Sequence, residues 1–291
     1  MPSPRTSSSS GSVWIGLGIL GILLAGSFFY FRRENKYAPV LPPGASKAVR
    51  EKVTPTPPVS SPPSPTPALA GRPRVILIID DFGYVNADLV EAFCRLPIPF
   101  AGAVLPYQPE SQLSAERLHQ NQKEVMLHLP MEGRASANPG PDALLDSLGE
   151  QEMIQRTRKA LQAVPYIVGS NNHMGSVVTS NRVKMKWILR EIKARRLFFI
   201  DSRTAATTVA AEVAEELQIP QASRNVFLDD EKDFKAIETQ WKRGLRIAQQ
   251  EGQVVMIGHV YPETLRALQR LIPSATKEVR FVLPSEVLLK R

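Results

Sequence analysis

The sequence predicts an α/β fold built on a parallel sheet, and three observations carry that reading. Seven short β-branched or aromatic runs recur after Arg72, helical patterns separate them, and each run is apolar at successive positions instead of alternating. Continuously apolar strands belong to a sheet covered on both faces, and strands separated by helices are joined as parallel neighbours.

Val75–Ile79 is the first run and ends in Asp80-Asp81-Phe82-Gly83; Phe100–Val104 follows it. Ser111–Gln122 reads as a helix, with His119 expected at the surface. Val125–Leu129 contains His128 and runs into Pro130-Met131-Glu132, and Tyr166–Val168 leads to Ser170-Asn171-Asn172-His173-Met174-Gly175-Ser176. Ser180–Arg196 has helical spacing that places Val183, Trp187, Ile188 and Ile192 on one face. Leu197–Ile200 ends in Asp201-Ser202-Arg203-Thr204, and Asn225–Leu228 ends in Asp229-Asp230. A helical pattern over Phe234–Gln250 precedes the last run, Val254–Ile257, which ends in His259.

Parallel α/β folds collect their chemistry at the carboxyl ends of the strands. One aspartate after a strand is commonly a helix cap, and one histidine near a core is commonly structural. Six polar run ends holding three of the four histidines are not explained by caps. One carboxylate and two imidazoles can hold a hydrolytic metal ion and leave a position open for water, whose pKa falls to about 7 on zinc. Adjacent Asp80 and Asp81 are expected to diverge on the turn, one binding metal and the other acting as base. A titratable group opposite the base would protonate a leaving amine.

Domain organisation follows from composition. Residues 1–12 form a short polar N-terminus, and 13–31 (VWIGLGILGILLAGSFFYF) carry no charge. At about 1.5 Å per residue a helix there nearly matches a hydrocarbon core of about 30 Å. Trp14 and Tyr30 sit near its ends, where interfacial rings are favoured. An uncleaved anchor is preferred over a signal peptide, because the run exceeds a usual h-region and no clean A-x-A site follows it. Residues 32–71 are rich in Pro, Ser and Thr and read as an extended spacer, leaving 72–291 as the folded domain. Residues 1–70 hold +5 of the chain's net charge of +8, so the basic character belongs mainly to the tail. That distribution fits a membrane surface and argues against nucleic acid as a partner. Cys94 is the single cysteine and forms no intrachain disulfide.

The segments IIDDFGY, LHLPMEG, GSNNHMGS, FFIDSRT, the R-N-V-F-L-D stretch and GHVYPET resemble the ordered motifs of the divergent polysaccharide deacetylases. These are relatives of the NodB-type carbohydrate esterases, and the resemblance covers nearly all of 72–291. It implies a distorted (β/α)7 barrel that removes N-acetyl, or alternatively O-acetyl, groups from an envelope or extracellular polysaccharide. By that analogy Asp80 is the base, His259 the general acid, and Asp81, His128 and His173 the ligands of a divalent ion, with zinc expected. Asp201 with Arg203 or Arg224 would hold the base through a charge-assisted pair. The alternative for Arg224 and Asp229 is an ion pair at the barrel rim. Asn171 and Asn172 read slightly better as loop-forming residues than as ligand-orienting ones. Better-known members place both metal histidines in one H-x-x-x-H segment, whereas here Glu132 stands at the second position. Either His173 arrives from the next strand, or Glu132 ligates, or the site is incomplete.

The expected substrate puts the domain outside the cytoplasm, although Arg32, Arg33 and Lys36 after the span give that orientation no support from charge. Two other classes remain open. One is a non-catalytic envelope protein that binds glycan or a partner with the barrel. The other is a metal-free glycosidase, for which adjacent Asp80 and Asp81 are poorly placed, while Asp80 with Asp201 or Asp229 stays open.

Overall fold

A computed structural model describes residues 71–134 and 137–289. The N-terminus, the expected anchor (13–31) and nearly all of the expected linker lie outside these residues. Among the described residues, no helix is long and apolar enough to cross a membrane.

Strands and helices alternate. The first half comprises β1 (Arg74–Phe82), α1 (Ala87–Cys94), β2 (Ala101–Val104), α2 (Ser111–Gln120), β3 (Glu124–Met131), α3 (Glu150–Ala163) and β4 (Ile167–Met174). Then come α4 (Arg182–Ala194), β5 (Phe198–Asp201), α5 (Ala210–Glu216), β6 (Gln221–Ser223) and β7 (Val226–Phe227). The last are α6 (Phe234–Glu251), β8 (Gln253–His259), α7 (Pro262–Ala275), β9 (Arg280–Val282) and α8 (Pro284–Leu288). Every strand ladder is parallel, as expected, in the order β6-β5-β4-β3-β2-β1-β8-β7. β9 lies beside the start of β1, from Arg74↔Arg280 to Ile76↔Val282, on the edge that β2 occupies further along. The described residues therefore hold nine strands, not seven. β6 and β9 span three residues each, too few for a periodic signal.

β6 and β7, the two ends of the sheet path, are successive in the chain. From Ser223 to Val226 is three residues, a reach of at most about 11 Å. The sheet must therefore curl until its ends approach, as a half-open barrel. The peptide N–H of Arg224 donates to Asp201 O, and that of Asn225 to Val255 O, both at 2.9 Å. Neighbouring peptides at this seam are thus bonded to opposite sides of the opening.

Side chains obey the period of two. On β1, Val75, Leu77 and Ile79 join the core under the helices, while Ile76 and Ile78 join the cluster on the inner face. That inner cluster also holds Met126, Phe198, Ile200, Val255 and Ile257, with Val287, Leu288 and Leu289 packed against it. The barrel floor is a filled core and not a channel. Of the face expected on α4, Ile188 and Ile192 are buried, Trp187 is half-buried and Val183 is exposed, while Met185 and Leu189 complete the buried stripe.

Gly169 faces Phe198 across the β4–β5 ladder, and a Cβ there would run into the ring. Gly169→Ala should lower the unfolding free energy by about 1–3 kcal/mol, the usual cost of overpacking. An unchanged midpoint in urea would show that the ring does not cover this position.

Candidate metal centre and active site

The inner face is apolar toward the strand N-termini and polar at their C-termini. Ile76 and Ile78 lead to Asp80, Met126 to His128, Gly169 to Asn171 and His173, Phe198 and Ile200 to Ser202, and Val255 and Ile257 to His259. The same two-residue period that fills the floor therefore delivers these groups to one mouth.

Asp81 is out of phase with that pattern. A regular strand would turn it toward the helices. Between Ile79↔Gly102 and Phe82↔Val104, however, β1 carries one residue more than β2, and Asp81 adopts a left-handed φ of 68°. Bulges of this kind re-aim a side chain. Here the bulge swings Asp81 back to the inner side, so the two aspartates converge on His128 and do not diverge as expected. The distances to His128 Nε2 are 3.3 Å from Asp81 Oδ1 and 3.7 Å from Asp80 Oδ2.

Asp81 Oδ1, His128 Nε2 and His173 Nδ1 form a small triangle. Its sides are 3.3 Å (Asp81 to His128), 3.1 Å (Asp81 to His173) and 3.1 Å (His128 to His173). These separations suit neighbouring ligands of a tetrahedral ion with bonds of about 2.0–2.1 Å. Asp81 Oδ1 is buried and has no hydrogen bond of acceptable direction, although two ring nitrogens lie close by. One carboxylate and two imidazoles so arranged fit a divalent cation, and the donor set suits zinc. Burial disfavours charge on Asp81, but the two imidazoles outweigh it and hold its carboxyl well below the usual range. Burial likewise opposes charge on His128, yet Asp80 and Asp81 outweigh it and raise its pKa to about 9. The cluster thus attracts positive charge, and a proton and a metal ion compete for Nε2.

Asn171 orients both sides of this site. Its Oδ1 lies 2.8 Å from His128 Nδ1, which fixes that nitrogen as the donor and leaves Nε2 free to ligate. Its Nδ2 donates to Asp80 Oδ1 at 2.8 Å and, more weakly, to Ser202 Oγ at 3.3 Å. The loop-forming reading was therefore wrong for Asn171 and right for Asn172, which binds Met174 O and the Ser202 N–H. Burial pushes Asp80 upward against the attraction of His128 and His259.

His259 faces Asp80 across the β1–β8 ladder. Its Nδ1 lies 2.8 Å from Asp229 Oδ1, while Asp229 Oδ2 accepts from the His259 N–H at 2.6 Å and from Thr264 Oγ1 at 2.5 Å. Burial disfavours the imidazolium, but Asp229 prevails and His259 is raised. Asp229 thus serves His259, and the alternative Asp229–Arg224 pair does not form. The paired acids after Leu228 were the available signal, and the partner became visible only with the β7–β8 pairing.

Three other candidate contacts do not form among the described residues. Asp201 makes no hydrogen bond to Asp80: its carboxylate accepts from the Arg203 N–H (2.8 Å) and Thr208 Oγ1 (3.0 Å). Neither Arg203 nor Arg224 forms an ion pair with Asp80 or Asp201 within 4 Å. Arg224 instead donates to the carbonyls of Ser202 (2.6 Å) and Arg203 (2.9 Å), closing the seam. Glu132 is no ligand, since its Oε2 accepts from the Asp146 N–H at 2.7 Å and fastens the following loop. His119 is exposed as expected and stacks on Tyr166. A cavity of about 560 Å³ joins Asp80, His128, His173 and His259 to Arg203, Arg224 and Arg243.

Comparison with known proteins agrees with this fold. The chain is 34% identical over 225 residues to the uncharacterized protein YibQ of Escherichia coli, covering 77% of this chain and 69% of that one. An uncharacterized protein of Haemophilus influenzae is 26% identical over 209 residues, with 72% and 74% covered. Among solved structures, an uncharacterized protein of Agrobacterium tumefaciens shares the fold, with a TM-score of 0.70 at 22% identity over 75% of this chain and 90% of that one. Residues 77–288 match the family model described as divergent polysaccharide deacetylase. The chain belongs to the divergent polysaccharide deacetylase family.

Proposed function

We propose that the chain is a metal-dependent hydrolase that removes acetyl groups, N-acetyl foremost, from an envelope or extracellular polysaccharide. The observation that carries this reading is the Asp81–His128–His173 triangle flanked by Asp80 and His259. Family membership supports the acetyl substrate, and a distorted NodB-type barrel is the finer form of the fold it implies. The N-terminal apolar run would anchor the domain on the outer side of a membrane, where such a polymer lies.

A divalent ion held by Asp81, His128 and His173 would polarise the acyl carbonyl and ease ionisation of water. Asp80 then takes the proton of the attacking water. Its raised affinity for protons suits that task better than an ordinary surface carboxylate would. Asn171 keeps Asp80 and His128 in register throughout. His259, held protonated by Asp229, passes a proton to the departing sugar amine.

The purified full chain should bind about one Zn²⁺, and Asp81→Ala or His173→Ala should abolish binding. Asp80→Asn should keep the metal and slow acetate release by roughly 10²–10⁴-fold, the scale of positioned proton transfer. Metal lost from Asp80→Asn and kept by Asp81→Ala would reverse the two roles. Acetate release that survives chelation would remove the metal from the reaction, and reducing ends without acetate would indicate a glycosidase.

The pH profile should be bell-shaped. Activity rises as Asp80 loses its proton, above the ordinary carboxylate range, and falls as His259 loses its own, above the ordinary imidazole range. Asp229→Asn removes the anion that holds His259 up, so the alkaline limb should move to lower pH while the acid limb stays. An unmoved alkaline limb would assign that ionisation to another group.

A further inference from the structure

The same cavity has a basic wall that the proposed chemistry does not use. Arg203 follows β5, Arg224 lies at the seam and Arg243 stands on α6, and all three line the cavity with His128, His173 and His259. None of the three has a carboxylate of the described residues within ion-pair distance. Asp230 shares the cavity but pairs with none of them. Arg224 spends Nε and Nη2 on backbone carbonyls, and its guanidinium carbon lies 5.0 Å from the centre of the Phe227 ring. Nη1 has no such partner. Arg203 and Arg243 are exposed; burial lowers the proton affinity of Arg224, the more distant charges of Asp80 and Asp201 act against that, and Arg203 and Arg243 add to the lowering.

Three like charges around one wall repel each other, and a structural account would give them carboxylate partners. Pairing with the base, the role expected of Arg203 and Arg224, is taken by Asn171. Planar guanidinium forks suit carboxylate and phosphate oxygens, where they form charge-assisted and often bidentate bonds. We infer that this arginine wall is an anion subsite, so that the glycan the enzyme acts on carries a carboxylate or phosphate near the acetylated residue. The inference deepens the deacetylase reading and rests on it for the word substrate, though not for anion binding itself.

The experiment compares acetate release by the full chain from three sets of N-acetylated oligosaccharides: neutral, uronate-bearing and phosphate-bearing. The wild type should prefer one anionic set over the neutral one, and the preferred set identifies the anion. That preference should shrink as salt rises, since exposed charges are screened beyond about 10 Å at 0.1 M. Arg243→Gln and Arg203→Gln should each lower the anionic-to-neutral ratio of kcat/KM by about tenfold, the scale of one charged hydrogen bond, and Arg243→Lys should retain part of it. A ratio near one in the wild type at low salt overturns the proposal, as does a preference that neither substitution reduces. Binding of inorganic phosphate and glucuronate to metal-stripped protein, measured by calorimetry, separates the two readings. Arginine-dependent binding without any deacetylation sinks the enzyme and keeps the subsite, whereas deacetylation with no anion preference does the reverse.

Discussion

One inserted residue in β1 governs the site. Without the bulge at Asp81, the alternation that sends Asp80 inward would send Asp81 into the apolar layer under the helices, where an unpaired carboxylate is costly. The left-handed turn itself costs of order 1–2 kcal/mol for a residue with a side chain, and aspartate is among those that tolerate it best. Gly83 completes the reversal at φ 118°, where a Cβ would press on Leu105 O and Ser111 Oγ. Two adjacent acids then approach His128 from the same strand, and His128 and His173 gain a shared anionic neighbour in Asp81.

Asn171 explains how the two acids keep different characters. A neutral amide can hold Asp80 in place without the strong downward pull that a guanidinium would exert. Asp80 therefore retains the raised proton affinity that burial gives it, while Asp81, pressed against two imidazoles, stays ionised. The difference between the proposed base and the proposed ligand arises from partners and not from residue type. An amide that bonds an imidazole on one side and a carboxylate on the other also couples their positions. A shift of β4 against β3 would disturb ligand and base together.

Much of this was legible in the sequence, for physical reasons that differ by residue. The apolar runs were readable because a sheet covered on both faces leaves no room for polar alternation. The run ends were readable because strand direction decides where side chains can meet. His173 was reachable as a candidate ligand because its strand neighbours that of His128, and Glu132, though spaced like a ligand, is drawn off by a backbone amide. Asn171 was undervalued, since an uncharged amide in an Asn-Asn pair reads equally well as a turn. The direct ion pair expected of Arg203 or Arg224 does not form, because only the curl of the sheet shows that Arg224 stands at its opening, bonded to backbone carbonyls. The two three-residue strands carry no pattern of their own and take shape from the ladders beside them.

The pairing of β1 carries a consequence for the order of assembly. The strand bearing both aspartates is bordered by β8 from Arg74 to Asp80 and by β9 over Arg74–Ile76, and both come from far downstream in the domain. Contacts so distant along the polypeptide make for high contact order and slow folding. During synthesis β1 emerges first and waits with an unsatisfied edge until the closing strands have left the ribosome. The candidate site is thus completed by strands far downstream of β1, and a nascent domain cut short before β8 would lack His259 and the ladder beside Asp80.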